Sequence, residues 1–113
     1  MKKTKENSTH YFWGNNCSGW HLVKSKKISV IQELMKPNTE EQKHYHKFSE
    51  QFFYILKGIA IFEIEDEIIE VESGNGIHIL PKIRHKIKNN TKRELEFLVI
   101  SQPSTEKDRF NVN

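Results

Sequence analysis

Residues 44–58, with the sequence HYHKFSEQFFYILKG, decide the predicted fold. His44 and His46 stand at positions i and i+2, and in an extended strand such side chains leave the same face. On a helix the same pair would diverge by about 200° and could not converge on one ion. Aromatic and β-branched residues follow from Gln51 to Leu56, which favours a strand. The stretch therefore predicts two imidazoles on one face of a β-strand.

A third histidine strengthens a metal-site hypothesis. His85 comes shortly after Pro81 and opens another short apolar strand. Three histidines on adjacent strands of a small barrel would offer nitrogen ligands to one metal ion. The alternative is a set of hydrogen-bonded barrel histidines without an ion.

Short apolar segments separated by turn residues run through the chain and predict an all-β fold. The predicted strands cover residues 20–23, 28–35, 42–46, 51–57, 59–64, 68–71, 77–80, 85–88 and 95–101, and they are preceded by an apolar patch at 10–13 and a turn over residues 14–19. Because strands such as 51–56 are apolar on both faces, we expect two packed layers, a double-sheet jelly roll, rather than one open sheet. We expect one domain over residues 1–113, with a mobile arm at about 1–9, the barrel at about 10–101 and a polar tail at about 102–113.

Composition narrows the class of protein. The chain has 113 residues, of which 35% are hydrophobic and 29% charged, and its net charge is +3. This balance is typical of a soluble globular domain, and lysines scattered among glutamates do not predict nucleic-acid binding. No stretch approaches the ~20 apolar residues of a membrane span. Cys17 is the only cysteine, so no internal disulfide is possible, and we expect a cytoplasmic protein.

Two motifs resemble those of the cupin superfamily, in particular its small single-domain members. The first family motif, GxxxxxHxHxxx(x)ExxxxxxG, is matched by His44, His46 and Gly58, and the second, GxxxxxPxGxxHxxxN, is followed from Gly74-Asn75-Gly76 through Pro81, His85 and Asn89. The resemblance covers about residues 28–101. It implies a double-stranded β-helix, the jelly-roll cupin barrel, with a metal held by the motif histidines.

The first family motif also has an acidic ligand, the E between its second histidine and its closing glycine. In this sequence that residue is either replaced by glutamine or shifted by one position. Counting back from Gly58 places Gln51 at this position, whereas the shorter form of the motif places Glu50 there. Strand alternation allows only one of the two to face the barrel. Gln51 with three histidines would form a neutral set suited to Zn²⁺, Ni²⁺, Cu²⁺ or Fe²⁺, and Glu50 would favour Mn²⁺ or Fe²⁺. We favour Gln51, because it keeps the spacing to the glycine.

Three further residues carry expectations. If His78 pointed inward, it would be a hydrogen-bond partner of a metal ligand or a general base. If it pointed outward, it would be a surface or interface histidine. Lys82 stands where the second motif often has glycine, which predicts a turn without positive φ at that position. Asp108 and Arg109 are expected to form a local surface pair of little consequence for stability.

The resemblance implies a small metal-binding cupin that acts on or binds a small organic ligand inside the barrel. The alternative is a non-catalytic binding or sensing module, for a carbohydrate for example. Among enzymes, a neutral Gln51 leaves no acidic base expected inside, which favours a dioxygenase over a sugar isomerase. The apolar outer face of strand 51–56 predicts a homodimer.

Overall fold

Alternating burial along β-strands organises the structure, a computed structural model that describes all 113 residues. Twelve strands follow one another along the chain: β1 (Thr9–Trp13), β2 (Cys17–Lys24), β3 (Ser29–Met35), β4 (Thr39–Glu40), β5 (His44–Tyr45), β6 (Glu50–Lys57), β7 (Ile59–Ile64), β8 (Glu67–Glu72), β9 (Gly76–Ile79), β10 (His85–Asn89), β11 (Leu95–Gln102) and β12 (Phe110–Asn111). The helical residues are one 3₁₀ turn, Lys5–Asn7. The structure contains no helix that is long and apolar enough to cross a membrane.

The strands form two antiparallel sheets, as predicted for a jelly roll. The first has the order β1-β2-β3-β11-β6-β9, and the second has the order β12-β5-β10-β7-β8, with β4 also paired to β10. Neighbours in space are often distant in sequence, as in the pairing of β3 with β11. The all-β double-stranded β-helix expected from the sequence is therefore confirmed.

Strand β6 supplies the centre of the core. Phe53 and Ile55 face inward and are buried, whereas Phe52, Tyr54 and Leu56 face outward and are 37–42% exposed. The Phe53 ring meets Phe62 with centroids 5.1 Å apart and Phe97 with centroids 5.8 Å apart. Burying a side chain of this size contributes about 1.5–3 kcal/mol. None of the candidate metal ligands belongs to this apolar core.

The first hairpin differs from its sequence-based prediction. The expected turn over residues 14–19 is confined to Gly14–Asn16, and β2 already begins at Cys17. Gly14 and Asn16 take the positive φ values of 53° and 60° that a tight connection requires. Gly19 then pairs with both neighbouring strands, because an extended glycine accepts strand partners as other residues do. Local turn composition therefore overstated the length of the loop.

The turn before His85 also differs from expectation. Lys82 has φ of 72°, the left-handed conformation that its side chain was expected to prevent. Its backbone N–H donates to the His46 carbonyl over 2.6 Å, and this long-range hydrogen bond stabilises the turn. A tertiary contact outweighs the preference of the residue type here.

Gly58, the closing glycine of the first motif, is required by its surroundings. It has φ of +91°, and a Cβ there would lie 2.8 Å from the Glu94 carbonyl oxygen. We predict that Gly58→Ala lowers the free energy of unfolding by about 2 kcal/mol or more, from backbone strain and from that overlap. Urea denaturation measures the change.

Gly74→Ala is the matched control for this prediction. Gly74 has a similar φ of +84°, but no atom lies within 4 Å of its added Cβ. The control therefore reports the backbone cost alone. Equal losses in the two variants would show that the approach to Glu94 is not what requires glycine.

Candidate metal centre and its cavity

Three buried histidines meet at one end of the barrel interior. His44 and His85 are register partners on β5 and β10, and His46 follows immediately after β5. Each side chain offers one ligand atom, and these atoms lie within 4.8 Å of one another. The structure thus brings together the three histidines of the two sequence motifs.

Each imidazole is oriented by a backbone carbonyl. Nδ1 of His44 lies 2.8 Å from the Gln42 oxygen, Nδ1 of His46 lies 2.6 Å from the Asp108 oxygen, and Nδ1 of His85 lies 2.8 Å from the Ile83 oxygen. A carbonyl oxygen only accepts hydrogen bonds, so Nδ1 carries the proton in all three neutral rings. The lone pair is therefore on Nε2, the tautomer that a metal-binding histidine requires.

Burial keeps these rings neutral. It lowers the pKa of His44 to about 3 and that of His85 to about 4, and it also lowers the pKa of His46. The positive charge of Arg109 acts in the same direction at each of them. Near neutral pH no proton competes for the Nε2 lone pairs.

Gln51 completes the group. Its side chain faces inward from β6, and its Nε2 donates to the Ser101 hydroxyl over 2.9 Å. That bond turns Oε1 toward Nε2 of His85, 3.2 Å away. With Nδ1 of His85 protonated, two acceptors face each other, an arrangement that a cation between them would stabilise.

The alternative register, with Glu50 facing the histidines, does not occur. Strand alternation turns Glu50 outward, where its carboxylate accepts a hydrogen bond from Nε2 of His78 over 2.7 Å. The His78 side chain is 55% exposed, so of its two possible orientations the structure has the outward one. Neither residue lines the cavity described below.

The group fits a transition-metal ion. Nε2 of His46 is buried and has no hydrogen-bond partner in the protein, a costly arrangement unless a ligand uses its lone pair. Three imidazole nitrogens and an amide oxygen suit Zn²⁺, Ni²⁺, Cu²⁺, Fe²⁺ or Mn²⁺ more than Ca²⁺ or Mg²⁺. The residues present could therefore hold a divalent transition metal.

A cavity of about 400 Å³ opens beside the histidines, and acidic residues line it. Glu33 points inward from β3 and Glu41 lies at the edge of the same space, which corrects the expectation that no acidic base is present inside. Burial raises the pKa of Glu33 to about 7 and that of Glu41 to about 8. A carboxyl group with such a pKa can exchange protons near neutral pH.

Tyr11 holds Glu33 in place. Its hydroxyl donates to Glu33 Oε2 over 2.7 Å, and burial together with that carboxylate raises the pKa of the phenol. Glu33 had one sequence signal: in SVIQELM it has the same strand parity as Ile31 and Met35, both on the inner face. Glu41 and Tyr11 had no comparable signal, because Glu41 lies in a connection and Tyr11 lies in an apolar patch for which no strand was predicted.

Asp108 is buried and contacts His46 of the candidate metal centre, which corrects its assignment to a local surface pair with Arg109. Its two carboxylate oxygens accept the backbone N–H groups of Lys47, Phe48 and Ser49 over 2.8–3.0 Å. Its own carbonyl oxygen receives Nδ1–H of His46. The segment expected as a tail also supplies β12, which pairs with β5. Sequence separation of about 60 residues hid these contacts.

We predict that Asp108→Asn lowers the free energy of unfolding at pH 7 by about 2 kcal/mol, since hydrogen bonds to a charged group are replaced. Burial raises the pKa of this carboxyl, but the three N–H donors outweigh it, and the net shift is downward. A carboxyl with a lowered pKa stabilises the fold above the unfolded-state pKa of about 4 and loses that contribution at lower pH. The deficit of the variant should therefore shrink as the pH falls from 7 toward 3.

Urea denaturation of both proteins across this pH range measures the effect. Glu106→Gln, a change at a neighbouring exposed carboxyl, is the control and should leave stability nearly unchanged. A deficit for Asp108→Asn that is constant with pH would contradict an ionised Asp108 as the acceptor.

Comparison with known proteins identifies the family. The family model described as Cupin domain matches residues 32–101, and the chain belongs to this family. An uncharacterised protein of Methanocaldococcus jannaschii is 32% identical over 83 residues, which are 74% of this chain and 66% of the relative. The chain spans less than two thirds of the length of the curated relatives it matches, and only 36–41% of three Streptomyces proteins, two of them described as polyketide synthase proteins.

Solved structures share the fold at low sequence identity. A predicted oxalate decarboxylase of Thermotoga maritima superposes with a TM-score of 0.84 at 19% identity, covering 92% of this chain and all of that one. A variant of Streptomyces PAC13, solved with uridine, gives a TM-score of 0.81 at 18% identity, covering 100% of this chain and 90% of that one. At such identities the likeness describes the architecture alone.

Proposed function

We propose that this protein binds a divalent transition-metal ion through His44, His46, His85 and Gln51 and holds a small organic ligand beside it. The observation that carries the proposal is the buried, unpartnered Nε2 of His46 between two other neutral imidazoles. Open positions at such an ion would polarise a ligand oxygen. The cavity of about 400 Å³ lies within the usual range for small-molecule sites, and a structural neighbour was solved with uridine.

Acidic groups in the cavity favour proton-transfer chemistry over oxygen chemistry. Glu33 lines the same space as the histidines, and its raised pKa suits it to take up and return a proton near neutral pH. This reverses the preference drawn from the neutral Gln51, and among enzymes we favour an isomerase- or lyase-like reaction over a dioxygenase. A non-catalytic binding module remains the alternative class; it would bind the ligand and return it unchanged.

The ligand set makes a paired prediction. Gln51→Glu places a full charge at the ion, and Ser101 can donate where it now accepts, so metal binding should become tighter. Glu50→Gln is the matched control, since Glu50 faces outward, and it should leave metal affinity unchanged. Competition titration with a chromogenic chelator measures both. Loss of metal in Glu50→Gln without an effect of Gln51→Glu would contradict the assignment.

Removing any one histidine should lower metal affinity by more than about tenfold. Losses of that size are typical even when the mutated residue only hydrogen-bonds to a metal ligand. The fold should survive, because the core of β6, β7 and β11 does not include these rings. Elemental analysis of His44→Ala, His46→Ala and His85→Ala, purified without an affinity tag or added metal, tests this. Full metal occupancy in any variant would exclude that residue as a ligand.

We also propose a homodimer formed by the outer face of β6. Phe52, Tyr54 and Leu56 expose an apolar strip that a partner would cover, with about 800 Å² buried per subunit in a typical interface. Sedimentation should give twice the 13.4 kDa chain mass, and Tyr54→Lys should give monomers. Ile68→Lys, on the exposed face of β8, is the control. A monomeric wild type at high micromolar concentration would overturn the proposal.

The cellular location is proposed on one observation. Cys17 is a buried, free thiol, which fits a reducing cytoplasm but carries no chemistry of its own.

A further inference from the structure

Arg109 brings a positive charge to the cavity beside the histidines. It comes directly before β12, and the pairing of β12 with β5 fixes its position next to the strand that carries His44. Among the residues that line the cavity it is the only lysine or arginine. It also lies outside residues 32–101, the part of the chain that matches the Cupin domain model. Membership of the family therefore does not account for this charge.

The guanidinium group of Arg109 has unused hydrogen-bonding capacity. Its Nε donates to the Asn111 side chain over 3.2 Å, and its Nη2 donates to the Gln42 carbonyl over 3.4 Å. The Glu41 carboxylate lies 3.9 Å from Nη1, which is beyond hydrogen-bond distance. Arginine has five N–H donors, so most of them have no acceptor in the protein. The side chain is 43% exposed, and a ligand that enters the cavity can reach it.

The charge of Arg109 is felt throughout the cavity. Burial has the largest effect on the pKa of each shifted titratable group in and around it. The positive charge of the arginine acts to lower the pKa of every one of these groups: Tyr11, Glu33, Glu41, His44, His46 and His85. An anion bound in the same space would be attracted by that charge, because little water separates them.

The glutamates of the cavity leave this charge available to a ligand. Glu40 is exposed and pairs with Lys86 over 2.8 Å. Burial raises the pKa of Glu33 to about 7, so this carboxyl is mostly neutral at about pH 6. Glu41 makes no hydrogen bond to Arg109, as described above. A ligand carboxylate at the usual distance of about 2.8 Å would therefore be the closest anion to the guanidinium.

The remaining surface suits the carbon skeleton of an acid. Trp13, Ile31, Phe53 and Val99 line the cavity from the first sheet, whereas Arg109 lies beside the second. The proposed metal ion would be held by neutral ligands alone, so an anionic ligand would also offset the charge of the ion. Polar and apolar parts of one ligand would thus be served by different walls.

We propose that Arg109 anchors a carboxylate, and that the cavity takes a small organic acid whose apolar part lies along the first sheet. Arginine binds a carboxylate through two parallel N–H···O bonds, and one arginine matches one negative charge better than a phosphate dianion. The inference rests on the proposed function in that the acid shares the cavity with the ion, and it adds the class of ligand.

Three probes of similar shape and different charge test the proposal at about pH 6: mandelate, its neutral amide mandelamide, and phenyl phosphate. Each is titrated into isotope-labelled protein, once after chelator treatment and once loaded with Zn²⁺. NMR follows the indole N–H of Trp13 and the amides of Ile31 and Val99. Mandelate should bind about tenfold more tightly than mandelamide in the zinc-loaded protein, and the metal-free protein should keep the preference for the acid.

Variants assign the preference to Arg109. Arg109→Gln should weaken mandelate binding by about tenfold and leave mandelamide nearly unchanged. Arg109→Lys keeps the charge but loses the planar fork, so its mandelate affinity should lie between those of the wild type and Arg109→Gln. Arg93→Gln, an equal change in charge at an exposed residue outside the cavity, is the control and should alter neither affinity. Zinc affinity should not fall in Arg109→Gln, because a positive charge has been removed.

The outcomes are distinct. Mandelamide binding as tightly as mandelate, tighter metal-free binding of phenyl phosphate, or an acid preference that survives in Arg109→Gln would each overturn the proposal. Weaker zinc binding by that variant would also overturn it, because the arginine would then support the metal centre. If Arg109→Gln does not fold, Arg109→Lys still tests the anchor. Failure of zinc to bind the wild type would contradict the proposed function instead, and the metal-free comparison of acid and amide would still decide the role of Arg109.

Discussion

Three hydrogen bonds from imidazole Nδ1–H groups to backbone carbonyls determine the chemistry of the site. Each carbonyl fixes the tautomer of a buried ring, and each leaves an Nε2 lone pair toward a common centre. Burial then keeps all three rings neutral. Nε2 of His46 is then a buried nitrogen with no hydrogen-bond partner in the protein, a costly arrangement that a bound cation would relieve.

The residues of β6 show what the alternation of side chains along a strand can and cannot predict. Once this segment is a strand, Gln51 and Phe53 must share one face, and Glu50 and Phe52 the other. The sequence therefore predicted the core, the exposed apolar strip and the two exclusive registers. It could not choose between the registers by geometry, because the loop between His46 and the strand can be one residue longer or shorter. The structure decides it through Ser101, which receives the Gln51 amide from the neighbouring strand.

Residues whose partners lie far along the chain could not be predicted. Asp108 looked like a surface carboxylate because its three N–H donors come from residues 47–49. Lys82 took a conformation that its type disfavours, because a carbonyl from the first motif holds it. Strand parity places Glu33 on the inner face of β3, whereas the neutral Gln51 was the reason to expect no acidic base inside. With Glu33 in the cavity, a carboxyl that can exchange a proton lies in the ligand space rather than among the candidate metal ligands.

The contact between His46 and the Asp108 carbonyl joins residues 62 positions apart, and this has a consequence for synthesis. The ribosome delivers His44, His46 and His85 before residue 108, so the acceptor that fixes the His46 tautomer is the last part of the site to be made. The candidate site is therefore complete only in a chain that has been synthesised as far as β12.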